Sequence, residues 1–153
     1  MTPLYIFDLD GTLANITHRR HIIESPGRDD SKWRDFYASC SEDKPNISVC
    51  RTLINLFDSG SDIWIWTGRS SEVRAKTHNW LDSVFDFAFM EFEVKMRDVG
   101  DHTYDHILKK KWLDEMSPED RARLVAVFED RSRVVRMWRD AGITCFHVAD
   151  GKF

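Results

Sequence analysis

The chain lacks most of the features that would take it out of the ordinary run of intracellular domains. Its three cysteines, Cys40, Cys50 and Cys145, are odd in number and never form C-x-x-C. A disulfide framework is therefore not expected, and reduced cytosolic thiols are. No apolar run approaches the roughly 20 residues of a membrane span, and the N-terminus shows no charged-then-apolar leader pattern. A soluble protein that makes no contact with membrane is the expectation. Repeats, low-complexity tracts and Pro/Gly-rich linkers are missing too, with only seven glycines and four prolines. No G-x-x-x-x-G-K-[ST] occurs, which excludes a P-loop phosphate cradle. Positive charge is not in excess: the formal net charge of -4 argues against general coating of DNA. It leaves open recognition of a nucleic-acid end through a local basic patch.

What is present reads as one domain over residues 1–153, long enough to bury a core. Six tryptophans and ten phenylalanines are spread along the chain, as core residues are. Strand-like runs fall at Leu4–Phe7, Ile63–Thr67, Phe87–Phe92, Leu124–Phe128 and Ile143–Val148. Helical stripes lie between them: Trp33, Phe36, Tyr37 and Cys40; Cys50, Leu53, Ile54 and Phe57; Val73, Thr77, Trp80 and Leu81; Leu108, Trp112, Leu113 and Met116; Val134, Val135 and Trp138. Ser117-Pro118-Glu119 predicts a helix start, and Gly142 a helix end. Apolar strands alternating with helices predict an α/β fold, a Rossmann-like parallel sheet of about five strands with helices on both faces. Residues 13–46 form a long polar connection, the place for a small cap or substrate-gripping insertion.

The densest chemistry is Phe7-Asp8-Leu9-Asp10-Gly11-Thr12. Residues two apart in an extended segment share a face, so both carboxylates point into one crevice at the end of the first strand. Paired like charges persist there mainly around a cation, which suggests a Mg2+-assisted reaction at an aspartate nucleophile. In open α/β sheets ligands bind beyond the carboxyl ends of the strands. The second strand ends in Thr67-Gly68-Arg69-Ser70, a turn able to offer a hydroxyl, backbone N–H groups and a guanidinium to phosphate. Glu129-Asp130 follows a later strand. Asp105 and Lys109, four apart, share a helix face.

In this order the pieces resemble the haloacid dehalogenase superfamily of aspartate-nucleophile phosphatases. A closer likeness is to the phosphatase domain of phage polynucleotide kinase/phosphatases. It is carried by Asp8-Leu9-Asp10-Gly11-Thr12-Leu13-Ala14, Arg19, Thr67-Gly68-Arg69, Gly100-Asp101, Asp105-x-x-x-Lys109 and Glu129-Asp130-Arg131-Ser132-x-Val134-Val135-x-Met137-Trp138-Arg139, and it continues through Gly142-Ile143-Thr144-Cys145 and Asp150-Gly151-Lys152-Phe153. The resemblance implies attack by Asp8 on phosphorus and a proton carried by Asp10 to the leaving alcohol and then from water. It implies Mg2+ on the Asp8 carboxylate, the Asp10 carbonyl and Asp130, with Glu129 reaching it through water. Glu129 stands where an Asp is common, and Thr103-Tyr104 where related chains often have Arg-Pro. Thr67 and Lys109 would hold the phosphoryl oxygens, Arg19, Gly68 and Arg69 would grip substrate, and Asp105 would orient neighbouring cations. Without such compensation two unit charges about 4 Å apart repel by roughly 4 kcal/mol at an effective dielectric of 20. Lys109 is chosen over Lys110 and Lys111 by its spacing to Asp105.

The implied substrate is a 3'-phosphorylated DNA or RNA end or a nucleotide, in bacterial or phage-infected host cytosol, with a separate kinase or ligase as a possible partner. A phosphatase of free nucleotides shares every catalytic residue, and a non-catalytic binder of phosphorylated ends is the rival from another class. His18, Arg19, Arg20, His21, Arg28, Lys32, Arg34, Arg69, Arg74, Lys95 and Arg97 are candidate local cations for a strand end. Taken singly, Asp-Gly-Thr reads equally as a turn and Glu129-Asp130 as a favourable helix start. His102 and His106 have an i, i+4 spacing that reads as surface rather than zinc site. The Trp33 stripe reads as cap core, with base stacking the minority alternative.

Overall fold

The computed structural model describes residues 1–26, 30–86 and 91–151. Five parallel strands form the sheet: β1 (Leu4–Phe7), β4 (Asp62–Ser70), β5 (Glu93–Arg97), β6 (Leu124–Arg131) and β7 (Cys145–Gly151), in the order β5-β4-β1-β6-β7. Two short strands, β2 (Ala14–Asn15) and β3 (Lys44–Pro45), pair antiparallel apart from it. The helices are α1 (Arg20–Glu24), α2 (Asp30–Ala38), α3 (Ile47–Asp58), α4 (Arg74–Phe85), α5 (Asp105–Asp114), α6 (Pro118–Arg123) and α7 (Ser132–Asp140). Among the described residues no helix is long and apolar enough to cross a membrane.

The central strands bury both faces, so successive residues feed two cores. Phe7, Ile63 and Ile65 pack with Leu53, Trp80 and Leu81 under α3 and α4. Ile6, Trp66 and Val127 pack with Leu113, Val135 and Trp138 under α5 and α7. The layered α/β fold is therefore as the alternation implied. Ser117 caps α6 by accepting from the Asp120 N–H, and Gly142 follows α7 with φ 78°.

Boundaries differ where polar residues continue a strand. Strands β4 and β6 run on through Thr67–Ser70 and Glu129–Arg131 because the sheet extends to the site, which an apolar pattern does not register. The last strand begins at Cys145 rather than Ile143. The strand expected at Phe87–Phe92 is instead Glu93–Arg97; residues 87–90 lie outside the described residues, as do Arg28, Lys152 and Phe153. This edge strand alternates Val94 and Met96 with Lys95 and Arg97, so it offers no continuous apolar run. Phe92 belongs to the core beside Phe57 and Phe85. His102 precedes α5 while His106 lies within it, so the two do not share a helix face.

Residues between β2 and β3 leave and rejoin the body through a neck of two residue pairs, Ala14 with Pro45 and Asn15 with Lys44. Asn46 supports it, donating from its backbone N–H to Leu13 O and from its side chain to Thr12 O, each at 2.8 Å. Such bonds contribute about 1 kcal/mol each, and a two-stranded ribbon alone is marginal. The segment is held further by Cys40 packed against Val73 and Met96 and by the charges described next.

Candidate active site

Asp8 leaves β1 with its N–H donating to Phe128 O at 2.9 Å. Gly11, at φ 86°, turns the chain so that Thr12 and Ala14 both donate to Leu9 O. The turn aims Asp8 and Asp10 into one crevice, whose walls include Gly68, Asp105, Glu129 and Asp130. Lys109 enters from α5, fully buried, and donates to Asp8 Oδ1 at 2.5 Å and Glu129 Oε2 at 2.7 Å. Its neighbours turn away: Lys110 pairs with Asp114 and Lys111 with Glu115 at the surface.

Asp8, Glu129 and Asp130 place carboxylate oxygens within 4.8 Å of one another. Burial, then repulsion from Glu129, pushes the Asp8 carboxyl up to about 7 despite Lys109. Burial, then Asp8 and Glu129, pushes Asp130 to about 9. Three buried acids thus face too little positive charge, the condition a divalent cation relieves. Oxygens around Mg2+ at about 2.1 Å lie at most about 4.2 Å apart, so closure by a few tenths of an ångström completes a site. Glu129 is already engaged, since Oε1 accepts from the Asp130 and Arg131 N–H groups at 3.2 Å. The added methylene lets its carboxylate fold back onto the end of its own strand.

Raised carboxyl groups bind protons in the folded chain that the unfolded chain has lost. Apo stability should therefore fall as pH rises from about 4 towards 9. Saturation to 100 times Kd adds about 2.7 kcal/mol, or roughly 5–10 °C in Tm. We expect a divalent cation to raise Tm by that much at pH 8 and little at pH 5, in a thermal melt of chelator-treated protein.

Asp130 sits in a glycine cradle. A Cβ on Gly11 or Gly151 would collide with its carboxylate, and one on Gly151 would stand 2.7 Å from its carbonyl oxygen. That carbonyl also accepts from His147 Nε2 at 2.7 Å. Gly151→Ala should push the carboxylate aside and lower cation affinity 10- to 100-fold, as losses of supporting contacts do, read by isothermal titration.

Asp10 has the opposite environment. Burial alone would raise it, but Arg69 and Arg19 outweigh that and hold its carboxyl below the usual range. All three bonds fall on Oδ1: Arg69 Nε at 2.9 Å, Arg69 Nη2 at 2.6 Å and Arg19 Nη2 at 2.7 Å. Behind them Asp43 takes Arg19 Nε at 2.7 Å, Arg19 Nη2 at 2.6 Å and Arg69 Nη2 at 2.7 Å. The remaining nitrogens donate to Phe36 O and to the Thr77 hydroxyl. Both arginines are fully buried. In this geometry both guanidinium groups are engaged by Asp10 and Asp43 and fix the Asp10 carboxylate between them. They also drop out of the surface cation patch, while Lys95 lies over the Trp66 and Trp112 rings and pairs with Glu115.

Thr67 is fully buried, its hydroxyl accepting from the Arg69 N–H at 3.2 Å; Gly68 lines the crevice in its place. Asp105 bridges Arg97 and Arg131. A Cβ on Gly68 would stand 2.6 Å from Asp105 Oδ1. Asp43 had no sequence signal, standing at the end of a polar loop outside any spacing pattern.

Carboxylates at the end of the first strand, a lysine from a helix and acids at the end of the fourth main strand meet in one crevice, and the class of protein is the haloacid dehalogenase-type phosphatases, which are phosphoric monoester hydrolases. The family model described as the polynucleotide kinase PNKP phosphatase domain matches residues 2–153, and the chain belongs to that family. It is 31% identical over 143 residues to a protein described as a bifunctional polynucleotide kinase/RNA ligase, from Autographa californica nuclear polyhedrosis virus, covering 92% of this chain and 18% of that one. A chain in the Pnkp1/Rnl/Hen1 RNA repair complex matches with TM-score 0.78 and 28% identity, over 99% of this chain and 44% of that one. A Clostridium difficile protein described as a phosphatase shares the fold, with TM-score 0.65 and 16% identity over 94% of this chain and 83% of the other. The chain spans less than half the length of the first two.

Proposed function

We propose that the domain is a Mg2+-dependent phosphatase that removes 3'-phosphates from nucleic-acid ends through a phospho-aspartate on Asp8. The observation that carries this reading is the Asp8 carboxylate at the crevice floor, buried beside Glu129 and Asp130 and bonded by Lys109. Asp8 Oδ attacks phosphorus, the bond to the 3'-oxygen breaks, and Asp10 gives that oxygen its proton. Asp10, then ionised between Arg19 and Arg69, removes a proton from the water that splits the acyl phosphate. Arg69 and Arg19, which hold the Asp10 carboxyl low, support its role as the base, and the proton taken from water is the one it gives to the next leaving oxygen. Asp8, Asp130 and the Asp10 carbonyl would hold Mg2+, with Glu129 reaching it through water. Mg2+ there would offset repulsion between Asp8 and the phosphate. Lys109 and Thr67 serve the phosphoryl oxygens, Thr67 after its hydroxyl turns from Arg69. The capping role falls to residues 13–46 of this single domain, and kinase or ligase activity to separate chains or domains.

The test is phosphate release from a 3'-phosphorylated oligonucleotide beside nucleoside 3'- and 5'-monophosphates, with Mg2+ and then chelator. The expected result is faster turnover of the oligonucleotide, lost with chelator. Equal or better turnover of mononucleotides would move the enzyme to free nucleotides. No release from any ester would leave only a binder of phosphorylated ends.

A further inference from the structure

We infer that the groove beside the nucleophile is a stacking platform for the nucleobase next to the scissile phosphate, with Trp33 and Tyr104 as its rings; this rests on the nucleic-acid-end reading above. The groove encloses about 450 Å3, within the range of small-molecule sites. One wall is α2, the other the loop that follows β5. Both walls are tied to a single atom, the Gly68 carbonyl oxygen, which accepts from the Tyr37 hydroxyl at 3.0 Å and Arg97 Nε at 2.8 Å. Trp33 lies one turn before Tyr37, its ring braced by Phe36 and Tyr37 at 5.8 and 5.9 Å. Across the groove stand Val99 and Tyr104, the latter stacked on His106 at 6.0 Å.

These are large apolar groups left in water. Trp33 is 40% exposed, and Val99 and Tyr104 are each 62% exposed. Trp33, Tyr37, Asp105 and Arg131 line both the groove and the crevice holding Asp8 and Asp10, so one opens onto the other. Its arginines are taken up by acids: Arg34 pairs with Glu72, Arg97 and Arg131 with Asp105, and Asp98 and Asp101 line the same loop. Ring faces therefore dominate what the groove offers a ligand. A flat, uncharged nucleobase suits that chemistry, and stacking accepts any base.

The test measures KM on two 3'-phosphorylated oligonucleotides, one with a normal and one with an abasic 3'-terminal residue. The enzymes are the parent, Trp33→Ala, Tyr104→Ala and Trp33→Phe. Removing the base, or either ring, should raise KM about tenfold, with kcat within about twofold. The two penalties should not add when both base and ring are gone, and Trp33→Phe should recover most of the loss. Tyr104→Ala keeps the test open if Trp33→Ala does not fold. Equal KM for normal and abasic ends, or penalties that add in full, would overturn the platform while the nucleic-acid-end reading stands. If the parent hydrolyses a small ester but neither oligonucleotide, that reading fails and the platform with it.

Discussion

Asp8→Asn is expected to abolish phosphate release, by about 10^4- to 10^6-fold in kcat, the scale on which loss of a nucleophile is felt, without destabilising the apo protein. The amide has the same shape but no charge with which to displace an alkoxide from phosphorus. Lys109 keeps Glu129 at 2.7 Å. The acidic group loses one of its three charges, and Asp130, raised by Asp8 as well as by burial, should titrate lower. Activity and stability thus move apart, as when a strained site is neutralised. A phosphate-release assay and a melt at pH 8 without cation test both halves. Activity within tenfold of the parent would remove Asp8 from the nucleophile's role; a loss of several degrees would show the buried acids to be better compensated than argued.

Asp43→Asn should be the most destabilising polar substitution in the site, by about 3–5 kcal/mol, the cost of breaking a buried ion pair from one side. That is roughly 10 °C in Tm for a chain of this length. Asp43 is buried under two guanidinium groups, and without its charge Asp10 alone must compensate both. Asp10 should then lose its fixed orientation, and kcat should fall with Tm. His18→Ala is the control. His18 also bonds Asp43, at 2.8 Å, but its side chain is 39% exposed, so its loss should cost under about 1 kcal/mol. Denaturant unfolding of both variants separates the cases, and equal, small losses would mean that the arginines find other partners.

The contrast between Asp8 and Asp43 marks what the sequence makes legible. Asp8 and Asp10 are readable because a spacing of two at a strand end points to one crevice, although it is the Gly11 turn just past β1 that brings them there. Lys109 is readable among three lysines because helix geometry ties it to Asp105. Asp43 obeys no local period; it meets Arg19 and Arg69 only because the neck returns the chain there. Arg19 and Arg69 are recognisable by type and place, yet their burial depends on that unseen partner, so their orienting position appears only in three dimensions. Strand β5 was misplaced for a related reason. An edge strand needs no unbroken apolar run, and Phe92 beside it serves the core.

The neck also decides how the molecule can flex. Residues between Asn15 and Lys44 are tethered by two residue pairs, which by itself would permit a swinging lid. Asp43, at the root of that tether, grips one arginine from each side of the joint. Lifting the segment would break the Arg19–Asp10 and Arg69–Asp43 pairs, but Arg19 would leave with Asp43 and Arg69 would stay with Asp10, so no buried charge is stranded. Each side of the joint is thus neutral by itself, and what resists opening is two ion pairs exchanged for water rather than a charge left buried alone.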